Sequence, residues 1–172
     1  MEDKIREFLT GKFPDAIIRE DNFRKQQSFY IHKQFLFDIC KAIIENKELD
    51  FIFLSDICSL DWLGQPEETS AGRFEVIYNL YSFKHKYRLL LKVPLPGEDP
   101  KIDSLTSLWH SADWLEREVY DLMGIIFIGH PNLTKIVTAD DLEGFPLRKD
   151  FPLTYEVPQF SYNKDKPPEV IL

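Results

Sequence analysis

Hydrophobic residues in the first part of the chain recur at helical spacing in two places. Ile5, Phe8 and Leu9 predict a helix over residues 3–13, which ends before Pro14. A second helix is predicted over residues 35–44, because its apolar positions fall on one face. These positions are Leu36, Ile39, Cys40, Ile43 and Ile44.

Other segments are rich in β-branched and aromatic residues and predict strands. They cover residues 15–19, 28–32, 51–61, 73–83 and 87–93. The last two form a hairpin around Lys84-His85-Lys86, and the final strand is predicted to end at Pro94, since proline cannot donate to a ladder. Helices on one side of a mixed or antiparallel sheet make a small two-layer α+β domain, followed by a helix and an extended C-terminal arm.

Three regions follow from these patterns. Residues 1–110 form the α+β domain, residues 111–153 form a helix with docking loops, and residues 154–172 form an extended C-terminal strap. Prolines and aromatic residues, without a helical or alternating period, make the end of the chain extended. The strap either folds back on its own domain or wraps around a partner, because large rings are costly to leave in water.

Charge and apolar runs exclude several classes of partner. The 172 residues carry a net charge of −8, which opposes non-specific attraction to nucleic acid. The N-terminal segment lacks an apolar signal core, and the longest apolar runs, such as residues 51–54, are far shorter than the roughly 20 residues of a spanning helix. We therefore expect a cytoplasmic protein without a nucleic-acid partner.

Cysteine usage gives no sign of a metal site. Cys40 and Cys58 are the two cysteines, and each lies in an apolar segment, which favours two buried, reduced thiols. A CxxC motif is absent, and two thiols are too few for an iron–sulfur cluster with about four ligands. We expect no metal in this chain.

Residues 111–153, hereafter the signature block, contain the densest pattern of charged residues and turn signals. Ser111 is a candidate N-cap for a helix over residues 112–123, which Gly124 ends. Leu115, Val119 and Leu122 are predicted as its buried stripe. On another face, successive steps of four residues place Arg117 between two carboxylates, those of Asp113 and Asp121.

The carboxylates of this helix have two interpretations. Glu116, Glu118 and Asp121, with His130, could act as a general acid/base cluster. The more conservative interpretation is a solvated or ion-paired helix face, with His130 as a hydrogen-bonded loop anchor. We favour the second interpretation.

A similar choice applies to Arg148-Lys149-Asp150. This tripeptide is either a solvated charge cluster or a docking element, since Arg148 is suited to bidentate recognition of a carboxylate on a neighbour.

The signature block resembles a known family. Trp114-Leu-Glu116-Arg117-Glu118-Val-Tyr-Asp121, Gly124-Ile, Gly129-His130-Pro131 and Pro146-Leu147-Arg148-Lys149-Asp150-Phe151-Pro152 are similar to the motifs of a complex I family, the C subunit of NADH-quinone oxidoreductase. The J subunit of cyanobacteria and chloroplasts is similar too. The interface or structural residues implied by this resemblance are Trp114, Glu116, Arg117, Glu118, Asp121, Gly129, His130, Pro131, Arg148, Lys149 and Asp150.

The resemblance implies a structural subunit in the peripheral arm of an oxidoreductase that couples electron transfer to ion translocation. It would lie on the cytoplasmic side of the inner membrane, support a hydrogenase-like large subunit near the quinone site, and contact neighbouring iron–sulfur subunits. NADH, FMN, iron–sulfur clusters and quinone would belong to partner subunits, which would also make any membrane contact. No catalytic residue, cofactor or metal is expected in this chain.

Two alternatives remain open. The chain could be the equivalent subunit of an energy-converting nickel–iron hydrogenase or a related membrane oxidoreductase. More remotely, it could be a freestanding carboxylate-based hydrolase.

Overall fold

The computed structural model describes residues 1–24, 26–66 and 72–152. Its helices are α1 (Glu2–Lys12), α2 (Leu36–Glu45), which follows a 3-10 turn at Lys33–Phe35, and α3 (Ala112–Met123). Its strands are β1 (Ile17–Phe23), β2 (Gln26–Ile31), β3 (Phe53–Asp61), β4 (Phe74–Ser82), β5 (Tyr87–Leu95), β6 (Lys101–Asp103) and β7 (Ile126–Ile128). The predicted α+β class is confirmed.

The main sheet has five strands in the order β1-β2-β5-β4-β3. Neighbouring strands are antiparallel except β2 and β5, which are parallel, so the sheet is mixed. A parallel pair needs a crossover connection, and the chain between β2 and β5 supplies it with α2 and the β3–β4 hairpin. A second, two-stranded sheet pairs β6 with β7 in parallel.

The core lies between one face of the main sheet and the helices. Along β4 and β5, side chains alternate, and the fully buried set on this face includes Tyr78, Leu89 and Leu91. Apolar residues of all three described helices belong to the same core, among them Leu9, Ile39 and Val119. The predicted arrangement of helices on one side of the sheet is therefore correct.

The prediction that the fifth strand ends at Pro94 is wrong. β5 continues to Leu95, and Pro94 pairs with Glu75 of β4. On its other side β5 is paired with β2 only up to Lys92. Pro94 therefore has a strand neighbour on one side only, and its missing N–H is tolerated there as on an edge strand.

One of the two cysteine predictions is also wrong. Cys40 is buried on α2, and burial raises the pKa of its thiol far above the ordinary range. Cys58 is exposed, because the alternation along β3 places it on the face away from the helices. Both thiols are free.

The buried hydroxyl of Tyr78 gives a stability prediction. Its oxygen has no hydrogen-bond partner among the described residues, and an unpaired buried hydroxyl costs free energy. Tyr78→Phe should raise the free energy of unfolding by about 1 kcal/mol in urea denaturation. Tyr78→Ala, which removes the ring, should lower it by about 3–5 kcal/mol. A loss of stability in the Phe variant would show that the hydroxyl has a partner.

Candidate functional site

Helix α3 has the predicted bounds, but a different face of it is buried. Its inward-facing stripe is Ala112, Glu116, Val119 and Met123. Leu115 and Leu122, predicted to be buried, are half-buried. The stripe was mispredicted because its second position is a glutamate, which a search for apolar spacing passes over.

Ser111 is not the predicted side-chain cap. Its backbone is already helical, with φ −63° and ψ −25°, and its hydroxyl makes no cap hydrogen bond to α3. Instead, the Oγ atom donates to the carbonyl of Leu54 on β3 at 3.5 Å. Ser111 thus links the start of α3 to the sheet.

Glu116 is a fully buried carboxylate in the core. Its Oε2 accepts a hydrogen bond from the Ser104 hydroxyl at 2.6 Å, and its Oε1 accepts one from the Leu105 amide at 2.7 Å. Burial raises the pKa of Glu116 to about 7, although these two donors favour the charged form. The expectation of a solvated or ion-paired position is wrong for this residue.

Asp121 is also buried, and it organises the loop that follows β7. Its Oδ2 accepts hydrogen bonds from the successive amides of Ile136, Val137 and Thr138 at 2.9, 2.7 and 3.0 Å, while the Thr138 hydroxyl donates to Oδ1. Burial raises the pKa of Asp121, but the four donors outweigh it and lower the pKa. One carboxylate therefore fixes the path of residues 136–138.

Arg117 binds a second part of the same loop. Its guanidinium donates to the carbonyl and hydroxyl of Thr134 at 3.1 and 2.9 Å, and to the Lys135 carbonyl at 3.5 Å. It also stacks over the Trp114 ring at 4.9 Å. The predicted position between Asp113 and Asp121 gives no ion pair with either residue among the described contacts.

His130 is a loop anchor, as predicted. Its Nδ1 accepts a hydrogen bond from the Asn132 amide at 3.0 Å, so in the neutral ring the proton resides on Nε2. Nε2 lies 3.1 Å from the Asp113 carbonyl and 3.2 Å from its Oδ1, and it donates to this first turn of α3. Gly129, with φ +84°, supplies the left-handed backbone that turns the chain into the exposed Pro131.

Arg148 closes the C-terminal end of α3. Its Nε donates to the Met123 carbonyl at 2.7 Å, and its guanidinium lies 4.4 Å from the Phe145 ring and 5.0 Å from the Phe74 ring. Gly124, in the left-handed conformation with φ +70°, makes room: a Cβ there would lie 2.5 Å from Arg148 Nη2. Arg148 is therefore part of the internal packing and is not a solvated charge.

Asp150 and Lys149 attach the following turn to the sheet. Arg73, at the start of β4, donates to both oxygens of Asp61 at 3.0 and 2.9 Å and to Asp150 at 2.7 Å. The Lys149 amide donates to Asp61 at 2.9 Å, and its ammonium donates to the Leu63 carbonyl at 3.3 Å. Partial burial alone raises the pKa of Asp61, but these donors lower it to about 2.

Most of the polar residues of the signature block are thus used internally, whereas several apolar residues remain exposed. Trp114 is 62% exposed, and Val137 and Leu147 are similarly exposed. Beside Trp114 lies an open cavity of about 480 Å³, lined also by His110, Asp113 and Pro131. Glu118 is the one exposed carboxylate of the three that were candidates for acid/base chemistry.

These three carboxylates do not converge. Glu116 and Asp121 are buried against different partners, and Glu118 faces solvent. Within the described residues, no group of three or more His, Cys, Asp or Glu side chains could hold a metal ion. No helix in the described part of the chain is long and apolar enough to cross a membrane.

Sequence reasoning missed the partners of the signature residues. Ser104, Asp61 and Arg73 lie outside the block, and Thr134 and Thr138 lie inside it without a recognisable pattern. The adjacent Asp61 and Trp62, opposite Arg73 across a predicted turn, are the only signal that could have indicated the first ion pair.

Comparison with known proteins identifies the class. The family model described as respiratory-chain NADH dehydrogenase, 30 Kd subunit, matches residues 29–157. A protein from Roseiflexus sp. (strain RS-1), named as the C subunit of NADH-quinone oxidoreductase, is 41% identical over 94% of this chain and 90% of its own length. The protein of the same name from Geobacter sulfurreducens is 43% identical over 84% of this chain and 86% of its own length.

The fold and the signature block are those of a respiratory-chain subunit. The chain belongs to the family of the 30 Kd subunit of respiratory-chain NADH dehydrogenase, and the resemblance drawn from the signature block is confirmed.

Two solved structures share the fold. A trypsin-resistant fragment of Nqo5 superposes with a TM-score of 0.60 at 31% identity, covering 77% of this chain and 98% of the fragment. A chain of the membrane-bound sulfane sulfur reductase, an archaeal respiratory membrane complex, has a TM-score of 0.72 at 23% identity, covering 88% of this chain and 85% of that one. The second likeness establishes a common fold only.

Gly124 provides a matched test of the helix end. Gly124→Ala places a Cβ in a left-handed conformation and 2.5 Å from Arg148 and Phe145. We expect a loss of about 2–4 kcal/mol in the free energy of unfolding, measured in urea. Gly129→Ala, with a similar φ but nothing within 4 Å of the added atom, should cost only about 1 kcal/mol. Equal losses in both variants would contradict the close packing around Gly124.

Glu116 predicts a pH dependence of stability. Its pKa is about 7 in the folded chain against 4.5 in its ordinary state, so the folded form holds the proton more tightly. The stability it contributes is therefore fully present below about pH 4.5 and is lost as the pH rises through 7. Between pH 5 and 8, Glu116→Gln should remove a decline on the order of 1–3 kcal/mol seen by urea unfolding in the unaltered chain. Parallel pH profiles for the two proteins would contradict the raised pKa.

Proposed function

We propose that this chain is a structural subunit, without a cofactor of its own, in the peripheral arm of an NADH-quinone oxidoreductase. It supports the hydrogenase-like large subunit near the quinone site while electron transfer drives ion translocation. NADH, FMN, iron–sulfur clusters and quinone are bound by partner subunits. The chain sits on the cytoplasmic side of the inner membrane and reaches the membrane only through those partners.

One observation carries this proposal. The charged residues of the signature block hold their own loops, while Trp114, Val137 and Leu147 remain exposed beside them. Exposed tryptophan and aliphatic side chains on a rigid scaffold are typical of protein–protein interfaces. The block is thus a pre-organised docking surface, and its loops need little further ordering on binding.

A second candidate is the equivalent subunit of an energy-converting hydrogenase or a related membrane oxidoreductase. The likeness in fold to a chain of the archaeal sulfane sulfur reductase favours it. The identity of the co-purifying large subunit separates the two candidates, because only a hydrogenase carries nickel ligands.

A freestanding hydrolase is disfavoured by the position of the carboxylates. Glu116 already accepts hydrogen bonds on both oxygens, as does Asp121, and neither reaches a cavity with Glu118. A general acid and base must reach one substrate together. Turnover by the isolated chain that is lost in Glu118→Gln would restore this interpretation.

The docking surface can be tested in the native cell. A tagged copy should co-purify in mild detergent with iron–sulfur and membrane subunits, identified by mass spectrometry, while the purified chain alone shows no redox absorbance. Trp114→Ala should reduce the co-purified subunits about tenfold or more without changing the melting temperature, because interface tryptophans often contribute about 2 kcal/mol. Ile18→Ala, at another exposed apolar position, should have no effect. Recovery of the tagged chain as a stable monomer without partners would contradict the proposal.

A further inference from the structure

The face of the main sheet opposite the helices has an unusual composition. In the described residues, the three helices pack on the other face, where Phe29, Tyr78 and Leu91 are buried. A sheet face without a helical layer is normally polar, with apolar residues alternating inward. Here it carries large aromatic side chains, including Phe23 and Phe53.

Strand register aligns several of these residues in one row. Phe53 of β3 pairs with Tyr81 of β4, and Tyr81 pairs with Arg88 of β5. In the parallel pair, Gln27 faces Leu89, so the preceding residue of β2 lies beside Arg88 and pairs in turn with Phe23 of β1. The row therefore crosses all five strands, a width of about 19 Å.

The aromatic part of this row is clustered and exposed. Phe83, directly after β4, lies 5.4 Å from Phe53 and 5.1 Å from Tyr81 between ring centroids. Phe23, Phe83 and Phe53 are 66%, 58% and 44% exposed. Clustered exposed rings on a globular domain indicate a surface that another molecule covers.

Positive charge surrounds these rings. Arg24, Lys84, Lys86 and Arg88 are exposed at the same end of the sheet, in a chain whose net charge is −8. None of the four forms an ion pair with a described residue; Lys84 donates only to the Lys47 carbonyl. The acidic side chains on this face, Asp21 and Asp56, lie one row further along the strands.

We propose that this surface, hereafter the basic–aromatic row (Phe23, Arg24, Phe53, Tyr81, Phe83, Lys84, Lys86 and Arg88), binds an acidic segment of a neighbouring subunit whose carboxylates alternate with apolar side chains. The inference rests on the proposed function. The width of the row matches roughly six residues of extended chain. The apolar side chains of the segment cover the rings, and its carboxylates pair with the four basic residues.

Charge favours a protein segment over a lipid surface. An anionic bilayer extends far beyond the row, so it meets the whole chain with its net charge of −8 and is repelled. A short acidic segment contacts only the basic end of the sheet. Anionic lipid and a second copy of the chain are therefore outcomes that the test must separate.

Site-specific crosslinking in the native complex tests the occupant. The chain carrying p-benzoylphenylalanine in place of Phe83 is expressed in its own cells, the complex is purified and irradiated, and the crosslinked peptides are sequenced by mass spectrometry. We expect one partner peptide with more carboxylates than basic residues and apolar residues between them. Crosslinks only to lipid, to this chain's own residues 153–172, to a second copy or to a non-acidic peptide would overturn the inference, as would no crosslink in an assembled complex.

The outcome also separates this inference from the proposed function. If the labelled chain enters no complex, the proposed function fails and this inference fails with it. If it enters the complex without crosslinking an acidic peptide, only this inference fails.

Charge reversal supplies the matched control. Lys84→Glu/Lys86→Glu/Arg88→Glu should reduce the crosslink yield at least about tenfold, with an unchanged melting temperature. Lys4→Glu/Lys33→Glu/Lys41→Glu changes net charge equally at exposed positions of the helical layer and should leave the yield unchanged. Equal losses in both variants would overturn the inference. So would binding of the unaltered chain to vesicles of phosphatidylcholine and phosphatidylglycerol that charge reversal of the row abolishes.

Discussion

The C-terminal end of α3 is the point on which the signature block depends. A helix leaves its last carbonyls without internal partners, and here Arg148 supplies a donor at 2.7 Å to the Met123 carbonyl. It can do so because Gly124 has no side chain to occupy the same space. With Arg148 in place, Asp150 reaches Arg73 of the sheet, so a single backbone turn joins the helix, the loop and the sheet.

The block reverses the usual placement of polar and apolar residues. Glu116 and Asp121 are fully buried, while Trp114, Val137 and Leu147 face solvent. Buried carboxylates are costly unless donors satisfy them, and each of these has donors on both oxygens. The loops are thereby held in one shape, so their apolar side chains form a fixed surface suited to a partner that is itself rigid.

The sequence predicted the α+β class, the bounds of α3 and the family, because these depend on spacing and on ordered motifs. It did not predict the buried face of α3, since Glu116 is polar and only the fold supplies Ser104 and Leu105 as its donors. It missed β6, whose three residues are too short for a periodic signal. The row across five strands was also beyond reach, because it depends on strand order and register, which no local pattern specifies. The division into three regions stays a prediction, and its strap lies outside the described residues.

The buried carboxylate of Glu116 has a consequence for how α3 acquires its orientation. Apolar side chains occur all along this helix, so hydrophobic burial alone would accept several rotations about its axis. Turning the helix by one residue would move the carboxylate away from Ser104 and Leu105 and bring Leu115 or the Arg117 guanidinium inward instead. Both donors would then be stranded in the core. The glutamate thus acts as a key that fits one rotational setting, and it exchanges some stability at neutral pH for a single solution to the packing problem.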